Sequence, residues 1–287
     1  MIDRVYAYKR IQDFFPQSKE SDIVFNEEGS VNLIAFLNNE RVFKFPREEW
    51  GEIYLKREVI LSKKIARISS INVPEFDIVE NDFGSYKMIH GTDLSSESIK
   101  RLSVAEQKNI AWELALFLKT INELKIDGPW FSDSYRSKED WIKLYEDVQT
   151  FILPIVPNQY TRSKINYIFA PLINDELDFN SDLCVINGDI NPYHIKFDKF
   201  KNKITGIIDL GTIGLGDPAY DLSVLMYNYG ENFISMMSEV YPKLKYLIKR
   251  ARFMRNTMEM QWLLNGLKLN EKSWFTLVLN KTFDDIL

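Results

Sequence analysis

Apolar and polar positions alternate between Asp22 and Leu37, with a break at Gly29-Ser30. The spacing of Val31, Leu33, Ala35 and Leu37 predicts a strand, a turn and a second strand. Arg41-Val-Phe-Lys-Phe-Pro46 predicts a third strand with Lys44 at its centre, flanked by Val42, Phe43 and Phe45. A lysine amid such neighbours needs a partner, because unpaired charge is rarely buried. The run Glu52 to Ile65 has helical spacing, with Ile53, Val59, Ile60 and Leu61 as its expected apolar face and Glu58 available to pair with Lys44. Pro74 to Val79 and Gly84 to Gly91 predict a fourth and a fifth strand.

The pattern then turns helical. Ser103-Val-Ala-Glu106 is a capping box ahead of a periodic run to Leu124. Ser137-Lys-Glu-Asp140 opens a helix through about Phe151, Gln159 to Leu177 is a third, and helices recur after Asp217-Pro218. Two short apolar runs interrupt them, Val185-Ile186 and Ile207-Ile208, each leading into a charged loop. The first loop carries Asp189 and, five residues on, His194; the second carries Asp209, fifteen residues later. A carboxylate, a ligand-type side chain and a second carboxylate on adjacent loops suit phosphoryl transfer to an alcohol. One carboxylate orients or deprotonates the hydroxyl, and the other two residues hold a divalent cation on the phosphates.

In full, the motifs read Asn187-Gly-Asp189-x4-His194, Ile207-Ile-Asp209-Leu-Gly211 and Asp217-Pro-Ala-Tyr-Asp221. This set resembles the aminoglycoside phosphotransferases, whose usual pattern is H-x-D-x4-N, I-I-D-x-G and D-P-x-x-D. His at the ligand position resembles the 2''-phosphotransferase branch and the macrolide phosphotransferases. Asn187 departs from the family's usual His, which ties the catalytic loop to the metal loop. The resemblance implies a bilobal protein-kinase-like α+β fold, with a five-stranded antiparallel N-lobe over residues 1–90 and a mainly helical C-lobe over residues 91–287. It assigns Asp189 as catalytic base or orienter, and His194 and Asp209 as Mg²⁺ ligands. Lys44 becomes the phosphate clamp and Glu58 its orienter. The nucleotide would also meet backbone near Ser30, and the hinge at Tyr86, Lys87 and Ile89. Asp217 and Asp221 are expected to fix the loop and cap the following helix.

Composition narrows the possibilities. The chain has 287 residues, 45% of them hydrophobic, enough for one bilobal unit. No apolar run of about 18 residues exists, so no membrane span is expected, and the first ten residues lack a secretory apolar core. One cysteine and two histidines exclude an internal disulfide and argue against structural zinc. A net charge of −5 disfavours nucleic acid and suits a cationic substrate. The expected setting is a cytoplasmic monomer.

Substrate identity is the least legible feature. Glu231, Glu259, Trp262, Glu271 and Trp274 are candidates to hold an aminoglycoside's ammonium groups; core packing and solvated helix faces are the competing reading for this region. A macrolide, choline-type or sugar kinase and a non-catalytic pseudokinase stand as alternatives. The donor is expected to be GTP in preference to ATP, because bulk at Tyr86, just before the hinge, limits how deep a purine slides.

Overall fold

The hairpin pattern becomes an antiparallel sheet. The computed structural model describes residues 2–27, 31–126, 137–156, 158–179 and 183–269. The first element is one the sequence pattern did not announce, a helix α1 (Arg4–Phe14) capped by the Asp3 carboxylate on Tyr6 N–H. Strands β1 (Ile23–Asn26), β2 (Asn32–Leu37), β3 (Arg41–Pro46), β4 (Phe76–Val79) and β5 (Gly84–Lys87) form one sheet in the order β1-β2-β3-β5-β4, antiparallel throughout. Side chains alternate across it. Phe43 and Phe45 face α1 and bury with Ala7, Ile11, Leu33 and Phe83, while Val42 and Lys44 face the opposite way, into a cleft. Each such ring removed from water stabilises the lobe by about 1.5–3 kcal/mol.

Helix α2 (Glu49–Ile65) crosses behind β3 and presents Leu55, Glu58, Leu61, Ser62 and Ile65 inward. Leu61 of the expected apolar face is buried, but Ile53 and Ile60 are 50% and 43% exposed. The helix carries two apolar stripes. The stripe that includes Glu58 turns inward because Lys44 lies across from it and supplies the ion pair that a buried carboxylate requires.

Strand β5 ends at Lys87, short of the expected Gly91, and residues 88–91 cross to the second lobe without strand pairing. Gly91 has φ 153°, and a Cβ there would lie 2.6 Å from the Thr205 hydroxyl, so this crossing requires glycine. The C-terminal part contains β6 (Thr92–Asp93), α3 (Ser96–Arg101), α4 (Val104–Asn122), α5 (Lys138–Asp147) and α6 (Gln159–Ile173). The expected capping boxes at Ser103 and Ser137 are both formed. Past Asp147 the chain relaxes into a π-turn at Val148–Ile152, and α6 stops before Leu177 because Asp175 turns left-handed, φ 58°, and the Glu176 N–H closes on the Pro171 carbonyl at 2.9 Å.

Four short strands then carry the loops of interest. They are β7 (Cys184–Ile186), β8 (Ile195–Asp198), β9 (Lys203–Ile207) and β10 (Gly214–Gly216), with β7 paired to β10 and β8 lying between β6 and β9. The described residues close with α7 (Ala219–Tyr229), α8 (Glu231–Ser235) and α9 (Leu244–Leu269). Beneath the loops runs one continuous core, with Ile110, Leu114, Trp141, Phe169, Leu222 and Met254 fully buried.

A buried ion pair joins α9 to the loop ahead of α7. Arg250 donates to both Asp217 oxygens, at 2.7 and 3.0 Å, and to the Asp178 carbonyl at 2.6 Å. Arg250 and Asp217 are 4% and 2% exposed. Arg250→Met strands a buried carboxylate, so it should cost about 3 kcal/mol. Urea denaturation should show a lower midpoint at an unchanged slope.

Candidate active site

Three elements bring one lysine and two carboxylates together. Lys44 Nζ on β3 donates to Glu58 Oε2 on α2 at 2.6 Å and to Asp209 Oδ1 after β9 at 3.0 Å. The other Glu58 oxygen accepts the Leu210 N–H at 3.1 Å, so the loop after β9 is held to α2 directly as well. Lys44 is 3% exposed. Burial alone would lower its pKa, but Asp209 and Glu58 overcome that and raise it, so the ammonium stays charged. For Asp209, burial opposes the charge, yet Lys44 and His194 outweigh it and hold the carboxyl down at about 2. Asp209 has φ 59°, a left-handed conformation that Asp tolerates and that aims its carboxylate at Lys44.

The loop after β7 lies against this triangle. Asp221 on α7 accepts the N–H groups of Asn187 at 2.8 Å and Gly188 at 2.9 Å, and Asn187 Oδ1 accepts the Asp189 N–H at 2.9 Å. The expected fixing role of Asp221 therefore has a geometric basis. Asp217 accepts the Ala219 N–H at the head of the same helix. Burial, together with the charge of Asp209, pushes Asp189 up to about 6. Asn191 donates from its amide nitrogen to Asp189 Oδ1.

His194 Nδ1 lies 2.8 Å from the Asp189 carbonyl, which can only accept, so the proton is on Nδ1. Nε2 faces the neighbouring loop, 3.5 Å from Asp209 Oδ2. An imidazole locked at Nδ1 by a carbonyl, beside a hard carboxylate, fits a divalent cation. Among the described residues no three His, Cys, Asp or Glu side chains converge into a complete metal cage. A single carboxylate beside an imidazole would be enough for Mg²⁺, which takes one or two carboxylates and completes its shell with phosphates and water.

These groups line a cavity of about 450 Å³ between the lobes. Its upper wall is apolar, with Ile34, Phe36, Val42, Tyr86, Met88 and Ile89, and its lower wall is polar, with Asp93, Tyr193, His194, Lys196 and Asp209. A flat apolar slot with charged groups at one end suits a purine nucleotide. Tyr86 stands opposite Val42 in the ladder, is 4% exposed, and packs edge-on against Phe76 at 5.0 Å. Lys87 is exposed and lines a separate recess with Glu75 and Asp77, and it is not part of the slot's lining. Met88 N–H is engaged by the Glu40 carbonyl at 2.7 Å. A smaller chamber of about 70 Å³ extends the slot beneath the β1–β2 hairpin, bounded by Asp189, Asp209, Asn32 and Thr212.

The substrate-side candidates fare differently. Glu231 is paired with Arg252 in an exposed ion pair. Glu259 is 6% exposed and accepts the Tyr227 hydroxyl at 2.8 Å, while Trp262 packs edge-on against Tyr227 at 5.1 Å. None of the three lines either cavity. Glu259 and Trp262 belong to the seam between α7 and α9, and Glu231, at the start of α8, is tied to α9; helical periodicity cannot tell such a glutamate from one at a cleft. Ser30, Glu271 and Trp274 lie outside the described residues. Asp93, Asn191, Tyr193 and Lys196 were not anticipated, although three of them flank His194 in sequence. The thiol of Cys184 is pushed up to about 12 by burial and is inert as a nucleophile.

Residues 22–243 match the sequence profile of the phosphotransferase enzyme family. The chain belongs to that family. Solved structures of the same fold include the GDP and kanamycin complex of APH(2")-IIia, with 21% identity, TM-score 0.85 and 98% of each chain covered. The streptomycin–ATP–APH(2")-IIa ternary complex matches at 20% identity and TM-score 0.71, over 92% of this chain and 91% of that one. The macrolide 2'-phosphotransferase MphH from Brachybacterium faecium matches at 16% identity and TM-score 0.69, over 93% and 94%. This phosphotransferase therefore has the kinase-like fold of the aminoglycoside and macrolide enzymes.

One departure from the family pattern leaves a physical trace. Asn187 is fully buried and its Nδ2 has no hydrogen-bond partner among the described residues. An unmade buried donor costs about 1–3 kcal/mol. Asn187→His supplies a longer reach toward the loop of Asp209, so it should preserve or raise kcat and raise the melting temperature. Steady-state kinetics and a thermal scan check both.

Proposed function

We propose that the protein transfers the γ-phosphoryl group of GTP, or of ATP, to a hydroxyl of a small cationic molecule of the aminoglycoside class, conferring resistance by phosphorylation. The observation that carries this reading is the buried contact of Lys44 with Glu58 and Asp209, beside a carboxylate, Asp189, that burial pushes up to about 6. Asp189 accepts the hydroxyl proton as the substrate oxygen bonds to the γ-phosphorus and the bond to the β–γ bridging oxygen breaks, leaving the nucleoside diphosphate. Lys44 neutralises charge on the phosphates, and Glu58 keeps it aimed. Asp209 and His194 would hold Mg²⁺, whose charge offsets the phosphate oxygens. The backbone of Lys87 and Ile89 offers hydrogen bonds to the purine.

The net charge of −5 suits a polycation, as do the kanamycin and streptomycin bound to structural neighbours. A second reading, a macrolide acceptor, is favoured by the neutralisation of Glu231 by Arg252 and the burial of Glu259 against Tyr227, which reduces acidic density among the described residues. No described helix is long and apolar enough to cross a membrane, and we assign the activity to a cytoplasmic monomer.

The deciding experiment is nucleotide turnover with kanamycin, streptomycin and a macrolide, each with and without Mg²⁺. Kanamycin or streptomycin should stimulate turnover and the macrolide should not; the reverse would select the second reading. Asp189→Ala should lower kcat by about 10²–10⁴-fold while nucleotide affinity holds; wild-type turnover would remove Asp189 from its role. Asp209→Ala should raise the Mg²⁺ requirement more than His194→Ala, since Mg²⁺ prefers oxygen.

The donor preference follows from the back of the slot. Tyr86 blocks the deeper purine register, so kcat/KM should favour GTP over ATP, and Tyr86→Ala should narrow that ratio. Equal use of both nucleotides, unchanged in the variant, would refute the assignment.

A further inference from the structure

Asn191, at a variable position of the Asp189-x4-His194 motif, reaches the proposed proton acceptor, and Asn228 reaches Asn191. Asn228, on the last turn of α7, donates from Nδ2 to the Val224 carbonyl at 2.9 Å and to Asn191 Oδ1 at 3.4 Å. A backbone carbonyl can only accept, so the amino end of Asn228 is fixed. That amino end meets the oxygen of Asn191, which turns the Asn191 amino group the other way, onto Asp189 Oδ1. The helix end is itself tied down, because the Ser96 hydroxyl donates to the Asn228 carbonyl. The second Asp189 oxygen, Oδ2, lies 3.6 Å from His194 Nδ1, whose proton is already committed to the Asp189 carbonyl. Oδ2 is therefore the oxygen available to a hydroxyl.

A carboxylate's last torsion is broad and roughly two-fold, so backbone contacts alone do not fix the plane of Asp189. We propose that Asn191, oriented by Asn228, sets that plane and selects Oδ2 as the proton acceptor. Both are positioning residues, and neither need touch the nucleotide. The inference rests on the reading of Asp189 as the residue that takes the hydroxyl proton. It also assigns a role to α7, whose first turn holds the catalytic loop through Asp221 and whose last turn steers the side chain that the loop carries.

The test compares Asn191→Leu, Asn191→His, Asn228→Leu and Asp189→Ala with wild type, using GTP turnover to water and to kanamycin. Asn191→Leu should lower kcat by about 10²-fold, the scale expected for misplacing a reacting group by an ångström, at unchanged KM for GTP. Asn191→His, which keeps an N–H donor at the same distance from the backbone, should recover most of the loss. Asn228→Leu should cost about tenfold and add nothing in the double variant with Asn191→Leu. Wild-type kcat in Asn191→Leu, or a loss confined to KM, overturns the proposal. Full turnover in Asp189→Ala removes the proton acceptor itself and overturns it for that separate reason. NMR of the side-chain amides gives a readout independent of any acceptor. The Asn191 NH₂ pair, identified by its disappearance in Asn191→Leu, should move in both Asp189→Ala and Asn228→Leu. Resonances that stay in place in either variant overturn the proposal whatever the turnover.

Discussion

The geometry of the cleft depends on one buried cation. Lys44 contributes a single ammonium to which a helix and a loop from opposite lobes each send a carboxylate, Glu58 and Asp209. Lys44 and Glu58 are almost fully buried while Asp209 keeps 46% of its side chain exposed, and an ion taken out of water must be compensated by geometry and further hydrogen bonds. The compensation here is shared. Glu58 uses its second oxygen on the Leu210 N–H, and its own carbonyl accepts the Ser62 hydroxyl. The orientation of α2, the path of the chain after β9 and the left-handed backbone at Asp209 all satisfy the same charge. This explains why α2 buries its Glu58 stripe in preference to one richer in isoleucine.

A second framework, built on α7, positions the other half of the cleft. Asp221 gathers two backbone N–H groups of the loop after β7, and Asp217 anchors the helix start to α9 through Arg250. The loop that carries Asp189 is thus suspended from a helix rather than from a strand. Burial lifts Asp189 while Lys44 and His194 depress Asp209. Two carboxylates within 3.6 Å of the same histidine are thereby held at different acidities by different surroundings.

Much of this was readable from the chain, and the unreadable part has a physical cause. Period-two alternation found β2 and β3 because one face of each packs on a core and the other lines the cleft. Capping boxes found α4 and α5 because Ser103 and Ser137 bond to backbone locally, without reference to the rest of the fold. The inward face of α2 was misread because hydrophobicity alone cannot weigh an ion pair across a gap. Helix α1 went unnoticed because it buries few side chains, chiefly Ala7 and Ile11, against a sheet whose sequence lies further on. Glu231 and Glu259 looked alike in sequence; only tertiary packing gives one to Arg252 and the other to Tyr227. Asn191 and Asn228 are distant in the chain and have no spacing to betray them.

The crossing between the lobes is not a single thread. Asn72, in the segment between α2 and β4, accepts the Ile207 N–H at 2.9 Å and donates to the Thr205 carbonyl at 2.8 Å, while the Thr205 hydroxyl reaches the His90 carbonyl at 2.7 Å. Two separate stretches of the N-terminal part are therefore strapped to the same strand, β9, and β9 leads straight to Asp209. Asp209 follows two residues after that doubly anchored strand, so any movement of the N-terminal part against the helical part is resisted at the strand that sets the position of Asp209.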